Sequence, residues 1–93
     1  MRIDVLLKSL CFVKTRNQGR KGCEEGFVKL NGRAVKPGRE VQAGDILEIR
    51  YPRRLLVVEI IEVPPGQVSR KERERFFSVV REEHLTAMEE WDL

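Results

Sequence analysis

Thr15 followed three residues later by Gln18 has the spacing of a capping box, so a helix is expected to begin at about Arg16. Gly26 supplies its stop, because the residue just past a helix often takes a left-handed conformation. The helix is thus fixed at both ends, and the charges it carries narrow what the chain can be. Unpaired N–H groups and the macrodipole make a helix N-terminus electropositive, which favours acidic side chains by about 0.3–1 kcal/mol each. This sequence instead places Lys14 and Arg16 there, with Arg20 and Lys21 one turn on. Folding gains nothing from that choice. A phosphate seated at the helix N-terminus would account for it, and a solvated basic turn is the plain alternative.

The charge distribution favours the first reading. The chain has 93 residues, enough for one domain near the lower end of what a single core supports unaided. Its net charge of +3 hides an asymmetry. Residues 1–50 carry 11 Lys/Arg against 6 Asp/Glu, whereas residues 51–93 carry 7 against 9. Between Lys14 and Arg39 there are 8 basic residues and 2 acidic ones. A block that basic on one half of a small domain points to a polyanion, most often nucleic acid. Candidate phosphate contacts are Lys14, Thr15, Arg16, Arg20 and Lys21 around the helix. Lys8, Arg33, Lys36 and Arg39 would extend the track along the preceding helix and the following hairpin.

In chain order, a first helix is expected from about Asp4 to Val13, capped by Asp4, with Ile3, Leu6, Leu7 and Leu10 as its buried stripe. Val5 and Phe12 make a weaker second apolar edge, expected to pack under the C-terminal segment. The second helix buries Gly19, Gly22 and Cys23, small residues that let the first helix approach closely, and turns Arg16 and Arg20 to one side. Asn31-Gly32 between alternating segments signals a hairpin. Pro37-Gly38 and Ala43-Gly44-Asp45 are turns, Ile46–Tyr51 reads as a strand, and Leu55–Val63 is the longest strand candidate. Pro64-Pro65-Gly66 is expected to end the sheet. Ser69-Arg70-Lys71-Glu72 has the form of a second capping box, opening a helix to about Trp91. Its apolar face would hold Phe76, Phe77, Val80, His84, Ala87, Met88 and Trp91.

The fold class expected is α+β: two short N-terminal helices on a small, mostly antiparallel sheet, followed by a C-terminal helix. Residues 1–63 would form the core unit and residues 64–93 a helical extension. The two cysteines, Cys11 and Cys23, fall on apolar stripes and read as small buried hydrophobes in a reducing cytosol. With one distant histidine, His84, they form no metal-ligand set. No cofactor or metal is expected, and there is no nucleophile–base pair or phosphate-cradling glycine loop to suggest an enzyme. No apolar run approaches the length of a membrane span, and the N-terminus lacks the pattern of an export signal, so a cytoplasmic protein is expected.

Arg2-Ile3-Asp4, Leu7, Lys14-Thr15-Arg16, Glu25-Gly26-Phe27-Val28-Lys29-Leu30-Asn31-Gly32 and Val41-Gln42-Ala43-Gly44-Asp45-Ile46-Leu47 follow one another in an order and spacing that resembles the RNA-binding domain named after small-subunit ribosomal protein S-four. The match covers roughly residues 1–50. With a strand and a charged helix expected after it, the chain resembles the fifteen-kilodalton heat-shock protein family and a related group acting in ribosome-associated quality control. The resemblance implies a helix–helix–hairpin unit, the alpha-L-like motif, whose basic second helix holds structured RNA, either rRNA or tRNA on the ribosome. It also implies a factor that works on the large subunit when a nascent chain remains attached to tRNA. Asn17, Gly19, Gly22 and Cys23 depart from the residues usual in the family, while the cationic positions are kept.

Three functions compete at this level. The first is a non-enzymatic RNA-binding protein of the ribosome. The second is an RNA-targeting or protein-docking subunit of an RNA-modifying or ribosome-assembly complex, meeting its protein partner through the C-terminal helix. The third is a DNA-binding helix-turn-helix, although the Lys14-Thr15 junction lacks the usual glycine turn.

Overall fold

The structure is a computed structural model and describes residues 1–86. Helix α1 (Ile3–Ser9) and helix α2 (Arg16–Glu24) precede strands β1 (Val28–Leu30), β2 (Arg33–Ala34), β3 (Ile46–Tyr51) and β4 (Arg54–Ile60). A single 3-10 turn (Arg73–Arg75) leads into β5 (Phe77–His84). The strands form one antiparallel sheet in the order β2-β1-β3-β4-β5. The core cluster draws on both helices, on β1, β3 and β4, and on the segment after β4.

α1 carries the expected stripe: Ile3, Leu6, Leu7 and Leu10 are fully buried. It is shorter than its periodicity suggests. Cys11 takes a left-handed conformation (φ 62°), and the Phe12 N–H turns back to donate to the Leu7 carbonyl at 2.8 Å. That closure is a helix-ending geometry, and it drives Phe12 and Val13 into the core. Cys11 therefore lies beyond the helix rather than on its stripe. Asp4 does not cap the helix either. Arg2 occupies the N-cap without a side-chain capping bond, and Asp4 sits inside the first turn, buried.

α2 starts and stops as its sequence requires. The Gln18 N–H donates to Thr15 Oγ1 at 3.1 Å, and the Thr15 and Lys14 N–H groups donate to Gln18 Oε1 at 3.2 and 2.9 Å. Gly26 follows the helix with φ 80°. Asn31 (φ 53°) and Gly32 (φ 82°) supply the two left-handed residues of the β1–β2 hairpin. Asn31 also ties the hairpin tip to the next turn. Its Nδ2 donates to Asp45 Oδ1 at 3.1 Å, and its Oδ1 accepts from the Ile46 N–H at 2.9 Å.

Among the described residues, the C-terminal helix is replaced by a strand. Ser69-Arg70-Lys71-Glu72 opens only a loop and the 3-10 turn, and Phe77–His84 pairs antiparallel with β4 along its whole length. β4 ends at Ile60, short of the expected Val63, and Pro64-Pro65-Gly66 does not end the sheet, which resumes at Phe77. Two physical reasons decide this. β4 would otherwise leave a full row of backbone donors and acceptors unpaired on its outer edge. The adjacent β-branched residues Val79 and Val80 also suit a strand better than a helix. A register shift opposite Val57/Val58 passes over Val80, so Val79 and Val80 both remain exposed while Phe77 is buried. The apolar stripe expected on one helix face is therefore split. His84 is exposed opposite Arg54 rather than packed. Ala87, Met88 and Trp91 of that stripe lie outside the described residues.

Phe77 packs on Phe12, ring centroids 4.8 Å apart, which is how the α1 end meets the C-terminal segment. Ser9 Oγ donates to the Gly66 carbonyl, and the Val68 N–H donates to the Ser9 carbonyl at 3.1 Å. Replacing Phe77 by alanine should lower the unfolding free energy by about 3 kcal/mol. Val80→Ala should change it by less than about 0.5 kcal/mol. Urea unfolding of both variants tests the strand, because a continuous helix would bury the two side chains on one face and make both substitutions costly.

Candidate nucleic-acid interface

Gly19 sits where α2 crosses the start of α1. A Cβ built on it would lie 2.9 Å from the Asp4 carbonyl oxygen and 3.4 Å from a Leu7 methyl, so only glycine allows this approach. The close crossing brings the first turn of α2 over the buried Asp4 carboxylate. Arg2 binds that carboxylate with two parallel bonds, Nε to Oδ1 and Nη2 to Oδ2, each 3.1 Å. Arg16 adds a third, Nε to Oδ2 at 3.4 Å. Asp4 is 1% exposed, while Arg2 and Arg16 are 45% and 55% exposed. One carboxylate orients two guanidiniums whose outer faces meet solvent, and the group keeps a surplus positive charge.

This corrects one expectation drawn from the dipole alone. Arg16 is not indifferent to folding, because it helps to neutralise a carboxylate taken out of water. Arg20 and Lys14 are different. Both are exposed, and neither has an ion-pair partner among the described residues. Thr15 spends its hydroxyl on the cap.

The remaining expected residues divide into two groups. The turn at 36–39 lies against the start of α1: the Ile3 N–H donates to the Arg39 carbonyl at 2.8 Å and the Asp4 N–H to the Pro37 carbonyl at 3.2 Å. Gly38 faces the Arg2 guanidinium, 3.7 Å from where its Cβ would stand. Lys36 and Arg39 are exposed on that turn, so they continue the track from Arg16 through Arg2. Lys8 and Lys21 stand at the other ends of their helices. Lys8 Nζ donates to Gln67 Oε1 at 3.2 Å, and Lys21 Nζ lies 4.0 Å from Glu25. Arg33 is exposed on β2, the edge strand.

Arg2 is the cation that the basic block from Lys14 to Arg39 leaves out. Its signal was present in Arg2-Ile3-Asp4, a cation two residues before an acid at a helix start, but only the tertiary fold shows that the acid is buried. Cys23 has no place in this chemistry. It is 3% exposed, and burial, with smaller contributions from Asp4 and Glu24, pushes its thiol up to about 12. At neutral pH it is a protonated, unreactive packing group. Among the described residues no cluster of three or more His, Cys, Asp or Glu side chains could hold a metal ion.

The family model of the S4 domain matches residues 1–47. The RQC P-site tRNA stabilizing factor of Halalkalibacterium halodurans is 35% identical over 89 residues, 96% of this chain and 100% of that protein. The protein of the same name from Helicobacter pylori is 38% identical over 64 residues, 69% of this chain and 76% of its own. Among solved structures, the trimeric Heat Shock Protein 15 of Vibrio cholerae superposes with a TM-score of 0.82 at 25% identity, covering 86% of this chain and 81% of that one.

The crossing at Gly19 is testable by one substitution. Gly19→Ala gains helix propensity of about 1 kcal/mol but forces two backbones apart, at about 1–3 kcal/mol. A net loss of stability of about 1 kcal/mol is expected in urea unfolding. A stabilised variant would show that the two helices can separate freely and that their spacing does not position Arg16.

Proposed function

The chain belongs to the S4-domain family, in the group of the RQC P-site tRNA stabilizing factors, and from that premise we propose that it binds structured RNA on the ribosome and serves in ribosome-associated quality control. Its RNA is ribosomal RNA or tRNA, the name its relatives carry directs the reading to P-site tRNA, and the large subunit is the ribosomal side this reading favours. Residues 1–63 form the RNA-binding unit, and residues 64–84 brace it. The activity is binding without turnover, in the cytoplasm. Among the described residues no helix is long and apolar enough to cross a membrane.

The observation that carries this reading is the Arg2–Asp4–Arg16 group, with Lys14 and Arg20 beside it. A buried carboxylate holds two guanidiniums outward, next to the capped start of α2, where N–H groups also favour an anion. Double-stranded RNA is recognised mainly through its shape, phosphates and 2′-hydroxyls, which suits such a surface. Stacking on unpaired bases finds no support here, since Phe12 and Phe27 are both buried. The docking-subunit reading has lost its element over the described residues, because Phe77–His84 is spent on the protein's own sheet.

If about four phosphates are neutralised, log affinity should fall against log salt with a slope of roughly −3 to −4. The double variant Arg16→Ala/Arg20→Ala should weaken binding to all structured RNAs about equally and make the slope shallower by about two. Its stability should fall by no more than about 1 kcal/mol, since Arg2 still holds Asp4 and both lost cations are largely exposed. Fluorescence anisotropy with a tRNA transcript, a ribosomal RNA helix and duplex DNA measures all of this. Cosedimentation with isolated subunits then identifies the ribosomal side. Unchanged RNA binding by the folded variant would overturn the reading, and a preference for duplex DNA would replace it with the helix-turn-helix one.

A further inference from the structure

A second basic surface lies away from the Arg2–Asp4–Arg16 group. Between the α1–α2 junction, the end of β3 and the 70–75 turn there is an open cleft of about 250 Å³. Lys14, Arg54, Arg70 and Arg73 line it, and no carboxylate does. The Arg73 guanidinium lies over the packed Phe12–Phe77 pair, 5.1 Å from the Phe12 centroid and 5.3 Å from that of Phe77. Its Nε is buried with no acceptor. Arg54 lies over the Tyr51 ring, 4.6 Å from its centroid, and Glu82 Oε2 fixes its far side at 2.8 Å. Tyr51 in turn donates its hydroxyl to the Phe12 carbonyl at 2.8 Å.

Burial pushes the Tyr51 hydroxyl above the usual phenol range, and Arg54, Arg73 and Arg70 act on it in the opposite sense. All three guanidiniums share the cleft with Tyr51. Arg70 and Arg73 have no ion-pair partner among the described residues.

Like charges gathered round a cleft repel one another, and a buried donor without an acceptor forfeits its hydration. Neither helps the fold. An anion in the cleft relieves the repulsion, and two of the four cations are already held in place by ring faces and a carboxylate, so little ordering remains to be done on binding. Lys14 belongs to this cleft and to the start of α2. The cleft is therefore continuous with the α2 surface through Lys14.

We infer that this cleft seats a backbone phosphate of the bound RNA, as a second anchoring point beyond the α2 surface. The inference rests on the reading of the chain as an RNA-binding protein. Its recognition chemistry is that of a phosphodiester: a delocalised anion met by guanidinium forks.

The test uses the full chain with Arg70→Gln, at an exposed position, and with Arg70→Gln/Arg73→Gln. Anisotropy against a tRNA transcript across a salt series is the readout for RNA. Chemical shifts of Tyr51 and Arg73 under titration with inorganic phosphate are the readout for a free anion. The single variant should keep the wild-type melting temperature, bind RNA about tenfold more weakly at low salt, and give a log–log slope shallower by roughly 0.7–0.9, the value of one phosphate contact. That loss should add to the loss caused by Arg16→Ala/Arg20→Ala. Should phosphate perturb Tyr51 and Arg73 while RNA affinity and slope stay unchanged, the cleft is a site for a free anion and the inference falls. Wild-type slope and affinity in both variants, alongside weakened binding by Arg16→Ala/Arg20→Ala, would also overturn it while leaving the proposed function intact. A wild-type chain that binds no RNA would remove both.

Discussion

One buried carboxylate organises the amino-terminal half of this protein. Asp4 is 1% exposed, and a charge so placed is strongly unfavourable unless it is paired and hydrogen-bonded. Arg2 and Arg16 meet that demand from two different parts of the chain. Arg16 can do so only because Gly19 lets α2 rest on the Asp4 backbone. The same geometry turns the outer faces of both guanidiniums to solvent. Stability and recognition are thus bound together: the pair that neutralises Asp4 is also the pair best placed to meet an anion.

Around that centre the sheet acts as a frame. The hairpin tip at Asn31 is tied to Asp45 and Ile46, and the 36–39 turn is tied to the first residues of α1. Backbone and side-chain bonds therefore fix Lys36 and Arg39 relative to Arg2, although more than thirty residues separate them in sequence. A basic track assembled in this way is held to a shape, which suits the recognition of a folded RNA by its backbone.

The segment after β4 closes the other side. Val68 and Phe77 enter the core, and Ser9, Gln67 and Gly66 join it to the end of α1. Phe77 and Phe12 pack together beneath Arg73, so one aromatic pair both seals the core and steadies a cation at the surface. The family match covers residues 1–47, and the basic cleft at Tyr51 and Arg73 uses residues beyond that span.

The sequence alone determined those elements whose cause is local. The Thr15/Gln18 box, the left-handed glycines Gly26 and Gly32, the stripe Ile3-Leu6-Leu7-Leu10 and the strand Ile46–Tyr51 all follow from dihedral preference and periodicity within a few residues. The surplus of cations on the amino-terminal half was equally plain, because charge adds without regard to fold. Tertiary structure alone decided the rest. Asp4 reads as a helix cap until α2 buries it. The segment Phe77–His84 reads as part of a helix until the open edge of β4 claims its backbone. Arg54, Arg70 and Arg73 read as separate solvated charges until the sheet and the 70–75 turn place them round one cleft. In each case the deciding partner lies twelve or more residues away, and spacing within a short window carries no record of it.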